Sequence, residues 1–306
     1  MFAGQVKNLL RIDIMRFDYF EPFTIEEARE TLRRGKGQYK VLAGGTDVIL
    51  QLRRRIKQYK GLVNIKRLPN IGAWSVEPNK GLKIGAATLM RELETSRAVA
   101  ERFPSLLDSL KLIGSIQLRN IATIGGNLCN GSPAADTAPS LIVLGASATF
   151  LDNGSNPGTV SVEKFFSGPG RSVLGPEGLL LRVDVPEPKE TTGDSFERLT
   201  PRSAMDIAIV SAASRVTLDR SSGRIKDVAI ALGAVAPTPL RALKAEAVLR
   251  GHDPIPELLM KAAQIAMGEC RPIDDIRGTA AYRKAMVSVL VRRTLERAIE
   301  RARMRA

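Results

Sequence analysis

Apolar and polar positions along the chain divide it into two differently patterned parts. Met15–Phe23 reads as a short strand that ends at a Pro turn. Thr24 then opens Thr-Ile-Glu-Glu-Ala, a capping residue followed three positions later by Glu27, which starts a helix. That helix runs to about Arg34 and stops at Gly35-Lys36-Gly37. Tyr39–Ala43 is an apolar strand running into Gly44-Gly45-Thr46-Asp47, with a helix near Val48–Arg55. Gly61–Ile65 and Gly81–Ile84 read as strands, with a Pro/Asn/Gly turn before the second. Leu89–Ser96 and Pro104–Leu112 read as helices, and Gln117–Ile124 as a strand-like stretch leading into Gly125-Gly126-Asn127. Asp136–Leu144 is a buried helix and Ser147–Leu151 a strand.

Ser167–Gly178 is rich in Gly and Pro and reads as a long irregular connection. Leu179–Val185 is a strand closed by Pro186-Glu187-Pro188, and the polar stretch Lys189–Asp194 marks a domain boundary. The pattern then changes. Ser195–Leu199, Ala208–Leu218 and Ile225–Gly233 are strands, and Asp219–Gly223 turns the second into the third. Three helices follow, near Leu240–Arg250, Pro256–Met267 and Thr279–Arg303. This order predicts an antiparallel sheet with helices on one face, an α+β arrangement. A chain of 306 residues is long enough for two domains, or three small ones.

Composition excludes several functions. Hydrophobic residues at 44% and charged residues at 25% describe a globular chain, not a disordered one. Lys and Arg exceed Asp and Glu by 46 to 32, a net charge of +14, which attracts nucleic acid, anionic membranes, acidic partners or phosphorylated ligands. Much of the excess sits at Arg283, Lys284, Arg292, Arg293, Arg297, Arg301, Arg303 and Arg305. It reads as a solvated helix face or a docking surface. No zinc finger or aromatic–basic interleaving accompanies it, so nucleic acid is not an expected partner. Two cysteines, Cys129 and Cys270, cannot form a disulfide framework or ligate an iron–sulfur cluster. The single histidine, His252, excludes a histidine-rich metal site and lies in a turn-like stretch that reads as surface loop. No apolar run reaches the ~18 residues that span a bilayer. Met1–Phe17 lacks the apolar core of a signal peptide, so the expected location is cytoplasmic. Residues 1–14 add little pattern.

The chemistry concentrates in the two diglycine segments. Glycine permits positive φ and close backbone approach, so successive N–H groups can converge on an anion. Either segment alone reads as a tight turn; the pair reads as a two-sided clamp for a diphosphate. Thr46 and Thr123 add hydroxyls and Asn127 an amide. No Gly-x-Gly-x-x-Gly follows a strand, which argues against a Rossmann site. Gly126 and Gly131 have P-loop spacing, but Ser132-Pro133 stands where Lys-Ser/Thr is needed, so an ATPase reading is weak. Asp136 can cap the following helix or accept from ligand hydroxyls. Cys129 reads as a small apolar filler.

Val41-Leu-Ala-Gly-Gly-Thr-Asp47 and Asn120-Ile-Ala-Thr-Ile-Gly-Gly-Asn127 resemble the paired FAD loops of molybdenum hydroxylase flavoprotein subunits, the carbon monoxide and xanthine dehydrogenase type. Ser132–Asp136, Arg202–Ala208, Leu232–Arg241 and Ile273–Arg283 resemble further motifs of that family and occur in its order. The resemblance covers about Met15 to the C-terminal helix. It implies an FAD-binding domain of the vanillyl-alcohol oxidase type at 15–188, with subdomains at about 15–70 and 71–188. A C-terminal flavoprotein domain follows at 195–303. It implies that Val41, Leu42, Ala43, Gly44, Gly45, Thr46, Asp47 and Val48, with Thr123, Ile124, Gly125, Gly126 and Asn127, hold the diphosphate. By the same resemblance Asp136 binds ribityl or nearby flavin atoms. Ile113 and Leu180 supply apolar and backbone contacts, Arg198 puts a cation near the flavin carbonyl edge, and Ile207 packs on the ring. It further implies electron transfer in a dimer of heterotrimers. A large subunit would hold the molybdenum cofactor and a small one the [2Fe–2S] clusters, with NAD or quinone as acceptor. The chain departs from the benzoyl-CoA reductase branch, which carries extra cluster cysteines. Two other readings stay open: a basic protein-docking or nucleic-acid-binding module without flavin, and a stand-alone FAD oxidase.

Overall fold

The computed structural model describes residues 16–152 and 157–305. The expectations for residues 1–14, and the start of the first strand at Met15, lie outside them. The first layer holds β1 (Asp18–Phe20), α1 (Ile25–Arg34), β2 (Tyr39–Leu42), α2 (Val48–Arg53) and β3 (Gly61–Asn64). Its strands form a parallel sheet in the order β1-β3-β2. Helix α1 starts where the capping pattern places it. The Thr24 hydroxyl accepts from the Glu27 N–H at 3.1 Å, and the Glu27 carboxylate accepts from the Phe23 N–H at 2.9 Å.

The next strands are β4 (Trp74–Glu77) and β5 (Gly81–Gly85). Six short helices follow: α3 (Met90–Glu94), α4 (Arg97–Arg102), α5 (Pro104–Leu112), α6 (Ile116–Arg119), α7 (Ile124–Asn130) and α8 (Thr137–Val143). Then come β6 (Ser147–Leu151), β7 (Gly158–Ser161), β8 (Phe166–Gly168), β9 (Arg171–Ser172) and β10 (Leu179–Val185). Strands β4-β5-β10-β6-β7 make an antiparallel sheet, and β8-β9 a small hairpin. Two expectations change here. The stretch from Gln117 is not strand-like: the Ser115 hydroxyl caps α6, and the Thr123 hydroxyl caps α7. The second diglycine therefore forms the first turn of a helix. The connection 167–178 is also less irregular than expected, since it contains part of the β8–β9 hairpin.

The last part holds β11 (Thr192–Leu199), β12 (Val210–Leu218), β13 (Ile225–Gly233) and β14 (Leu240–Arg241), all antiparallel. Helices α9 (Leu243–Leu249), α10 (Pro256–Glu269) and α11 (Ala280–Arg303) complete it. The sheet carries its own helices α9–α11 on one face, as expected, and α5 and α8 of the preceding part cover the other. Ala212, Val216, Val228, Ile230 and Leu232 face a core shared with α9–α11. Their neighbours Ala213, Ala229 and Ala231, with Phe196, face the core of the preceding layers. Burial on both faces explains why these strands read as apolar runs. It also explains why the polar stretch at 189–194 is only partly linker. Thr191, Thr192 and Asp194 are buried, and the Asp194 carboxylate accepts from the Ser105 N–H at 2.7 Å at the start of α5.

Polar contacts tie these layers together. Arg301 of α11 donates to Asp108 of α5 at 2.8 Å and to the Asp194 carbonyl at 2.7 Å. Arg283 is buried and donates to the carbonyls of Ile209 and Ala234 and to Asp275. Several of the C-terminal arginines thus serve internal contacts and not only a solvated face. Arg198 of β11 donates to Asp136, just ahead of α8, and to the Leu112 carbonyl. Asp136 stands at the cap position, but its side chain makes no capping bond.

Two expectations follow. A Cβ at Gly193 would lie 2.1 Å from the Ala298 carbonyl oxygen of α11. Gly193→Ala should destabilise the chain by about 1–3 kcal/mol, read as a lower urea midpoint; an unchanged midpoint would refute the close approach. Burial pushes Asp136 up to about 6 against the opposing Arg198 charge. The folded chain then holds this proton more tightly than the unfolded one. Its contribution to stability is full in acid and is lost as pH rises through about 6. Carboxyl NMR should show a group titrating there that disappears in Asp136→Asn, whereas titration of every carboxyl below the ordinary range would contradict the burial argument.

Candidate functional site

A cleft of about 940 Å³ runs between the first layer and the second. Strand β2 ends at its edge, and the chain turns through Gly44-Gly45 into α2. Gly45 has φ +74°, in the left-handed region. Gly44 is required for a different reason: a Cβ there would lie 2.2 Å from the Ile121 carbonyl oxygen. The backbone leading into the second glycine segment is therefore packed directly on the first. Gly125 is held the same way, since its Cβ would lie 2.4 Å from the Ala86 carbonyl oxygen. Gly126 differs, because within 4 Å its Cβ would meet only the Thr123 hydroxyl, at 2.9 Å.

Most of the residues singled out from sequence come together in the wall of this cleft. Val41, Ala43, Gly44, Gly45, Thr46, Asp47 and Val48 form one side. Thr123, Gly125, Gly126 and Asn127 line it from α7, and Ile113, Leu180 and Ile207 supply apolar wall. Four others are not in the wall. Leu42 packs on the small cluster of Val48, Leu52 and Leu62, and Ile124 is fully buried in the main core. Asp136 and Arg198 are committed to each other beneath the surface. In that pair, Asp136 Oδ1 and Arg198 Nε are buried and have no hydrogen-bond partner among the described residues. Orphans of this kind cost about 1–3 kcal/mol each, and a polar ligand group reaching them would relieve that cost.

The two glycine segments are not equivalent as donors. In the second, each backbone N–H is already engaged. Ile124 donates to the Thr88 carbonyl, Gly125 to the Ala86 carbonyl, Asn127 to the Thr123 carbonyl and Gly126 to the Thr123 hydroxyl. In the first, the N–H groups of Gly44, Gly45, Thr46, Asp47 and Val48 meet no acceptor among the described residues. The expected symmetric clamp is thus one-sided: one segment presents an open row of N–H donors, and the other presents a flat glycine surface. Asn127 adds an amide. Its Oδ1 accepts from the Thr137 hydroxyl at 2.6 Å, which leaves its N–H₂ group for a ligand.

Sequence reading missed three cations that line the cleft, Lys40, Lys57 and Arg171. Arg171 enters through the β8–β9 hairpin, for which the only local signal was Gly168-Pro169-Gly170. Asp47 is the one carboxylate among the lining residues, and burial raises it above its ordinary value. Cys129 also lines the cleft; burial pushes its thiol up to about 12 against the nearby Lys40 charge. It is neither a thiolate nor a ready nucleophile. His252 lies in an exposed loop, its Nδ1 2.9 Å from the Arg250 carbonyl. Among the described residues no group of three or more His, Cys, Asp or Glu could hold a metal. No helix among them is long and apolar enough to cross a membrane.

A cleft with an open row of N–H donors and apolar lining suits a ligand that carries both a phosphate group and an apolar ring. Comparison with known proteins agrees. Residues 15–188 match the FAD-binding domain of molybdopterin dehydrogenases, and residues 196–298 the C-terminal domain of the CO dehydrogenase flavoprotein. The chain is 32% identical over 283 residues to the carbon monoxide dehydrogenase medium chain of Hydrogenophaga pseudoflava, covering 92% of this chain and 97% of that one. It is 29% identical over 268 residues to the xanthine dehydrogenase FAD-binding subunit of Escherichia coli, covering 87% and 90%. A solved structure of the Hydrogenophaga pseudoflava carbon monoxide dehydrogenase superposes with a TM-score of 0.88 at 33% identity, covering 94% of this chain and 98% of that one. The chain belongs to the FAD-binding flavoprotein subunits of the molybdenum hydroxylases, the family of the carbon monoxide dehydrogenase medium chain, and is a subunit of an FAD-dependent dehydrogenase.

Proposed function

We propose that this chain holds FAD in the 940 Å³ cleft and passes electrons between [2Fe–2S] clusters on a small partner subunit and an acceptor such as NAD or a quinone. A large partner subunit holds the molybdenum cofactor and oxidises the substrate. The observation that carries this reading is the open row of N–H groups from Gly44 to Val48, set beside the flat surface of Gly125-Gly126. A diphosphate needs such donors, and a backbone without side chains lets it approach. Val41, Ala43, Thr46 and Asp47 complete that side, while Thr123 positions Gly126 through its hydroxyl.

Ile113, Leu180 and Ile207, which also line the cleft, offer an apolar wall for the ring. Asp136 and Arg198 are buried outside that wall, and on this reading a ribityl hydroxyl or the carbonyl edge would have to reach in to their two unpaired atoms. Arg198 also anchors the Leu112 carbonyl, which fixes the neighbouring Ile113. FAD supplies the interchange between paired and single electrons, so the protein needs to bind, orient and tune it and does not need an acid–base pair of its own. The domain division that fits this role is an FAD-binding part at 15–188, with subdomains at about 15–70 and 71–188, followed by a C-terminal part at 195–303. The reading places the subunit in a cytoplasmic dimer of heterotrimers.

Purified protein should be yellow and release unmodified FAD on denaturation; protein that takes up no FAD would refute the reading. Gly126→Ala separates binding from folding best among the glycines of the two segments, because its Cβ meets no backbone and only the Thr123 hydroxyl, which can give way. It should weaken FAD binding by about tenfold to a hundredfold, the effect of ~1–3 kcal/mol of steric misfit, with the apo-protein melting point nearly unchanged. Gly44→Ala should instead lower that melting point. Affinity purification from the source cell should bring down chains carrying molybdenum and iron–sulfur clusters. Turnover of an organic substrate by the isolated chain would point to a stand-alone oxidase instead.

A further inference from the structure

The one-sided clamp leaves the charge of the ligand unbalanced. Peptide N–H groups donate hydrogen bonds but carry no net charge, and the second glycine segment has none to spare. The charged residues lining the cleft are Lys40, Lys57, Arg171 and Asp47. Three cations and one carboxylate leave a surplus of two positive charges even when Asp47 is ionised. The two phosphates of FAD each bring one negative charge.

These cations come from three separate elements. Lys40 belongs to β2, directly before Val41. Its charge acts on the Cys129 thiol, which places it within the cleft. Lys57 follows α2. Arg171 starts β9, and its position is built by two glycines of unusual backbone. A Cβ at Gly168, with φ +153°, would lie 2.9 Å from Arg171 Nη2, and one at Gly131, with φ +64°, would lie 2.7 Å from the Arg171 backbone nitrogen. The Gly170 N–H also donates to the Gly131 carbonyl at 2.9 Å, which pins the hairpin to the end of α7. None of the three cations has a carboxylate within ion-pair distance among the described residues. No carboxylate among the described residues thus competes with a ligand for these three cations.

We infer that Lys40, Lys57 and Arg171 form a cationic subsite that neutralises the diphosphate, so that the cleft selects phosphorylated flavin by charge as well as by shape. This rests on the FAD reading and assigns that site an electrostatic component the backbone loops do not supply. All three side chains are exposed in the chain, so their removal leaves the core intact.

The test uses the full chain freed of flavin, with Lys40→Gln, Lys57→Gln and Arg171→Gln made singly and together. FAD and riboflavin, which lacks phosphate, are titrated at about 0.01 M and about 1 M ionic strength, where the screening length falls from ~30 to ~3 Å. Each single change should weaken FAD binding by about threefold to tenfold at low salt, as for loss of a modest charged contact. The triple variant should lose most of the salt dependence shown by the wild type. Riboflavin affinity should stay the same in all variants and at both salt concentrations, and the triple variant Lys40→Arg, Lys57→Arg, Arg171→Lys should keep wild-type FAD binding. A triple Gln variant that matches the wild type in FAD affinity and salt slope overturns the inference, as does one that loses riboflavin and FAD equally. Wild-type protein that binds FAD with no salt dependence overturns it while leaving the FAD reading standing. Wild-type protein that binds neither flavin overturns both.

Discussion

The site depends on one contact between backbones: the carbonyl of Ile121 lies against Gly44, in space that any side chain would occupy. That contact brings the turn after β2 beside the lead-in to α7 and creates a cleft with glycine on both sides. It also sets the different roles of the two segments. The α7 segment is fixed from behind by the carbonyls of Ala86 and Thr88, which together with Thr123 take up its N–H groups. The β2 segment has no such backing and keeps its donors open. A site that looks symmetric in sequence is therefore asymmetric in hydrogen bonding.

Much of the fold was legible because local signals agreed with global packing. Thr24 and Glu27 announced α1, and Pro104 opened α5 where a first-turn proline belongs. The strands β10, β12 and β13 stood out by their apolar runs. The misreadings share a cause. The stretch 117–124 is apolar enough to resemble a strand, but Ser115 and Thr123 each supply a cap, and two short helices result. Apolar content alone does not separate a short strand from a short buried helix. That helices of the preceding part cover the second face of the last sheet was not written locally, since Ala213, Ala229 and Ala231 look like any small strand residues until that core packs on them.

The candidate site divides along the same line. Glycine segments are local in sequence and were found there. Lys40, Lys57 and Arg171 lie on separate elements and come to one cleft only in the fold, so no spacing could reveal them. Asp136 and Arg198 were found as single residues, but their pairing across the layers was not foreseen. That pairing links the C-terminal sheet to the wall near Ile113. The last part of the chain thereby supports the cleft while lining little of it.

Amide hydrogen exchange with and without FAD tests the one-sided clamp most directly. The account predicts that the amides of Gly44 to Val48 exchange rapidly in the free chain and become protected when FAD binds. Those of Ile124 to Asn127, already bonded within the protein, should be slow from the start and change little. Protection appearing at 124–127, with none gained at 44–48, would contradict it.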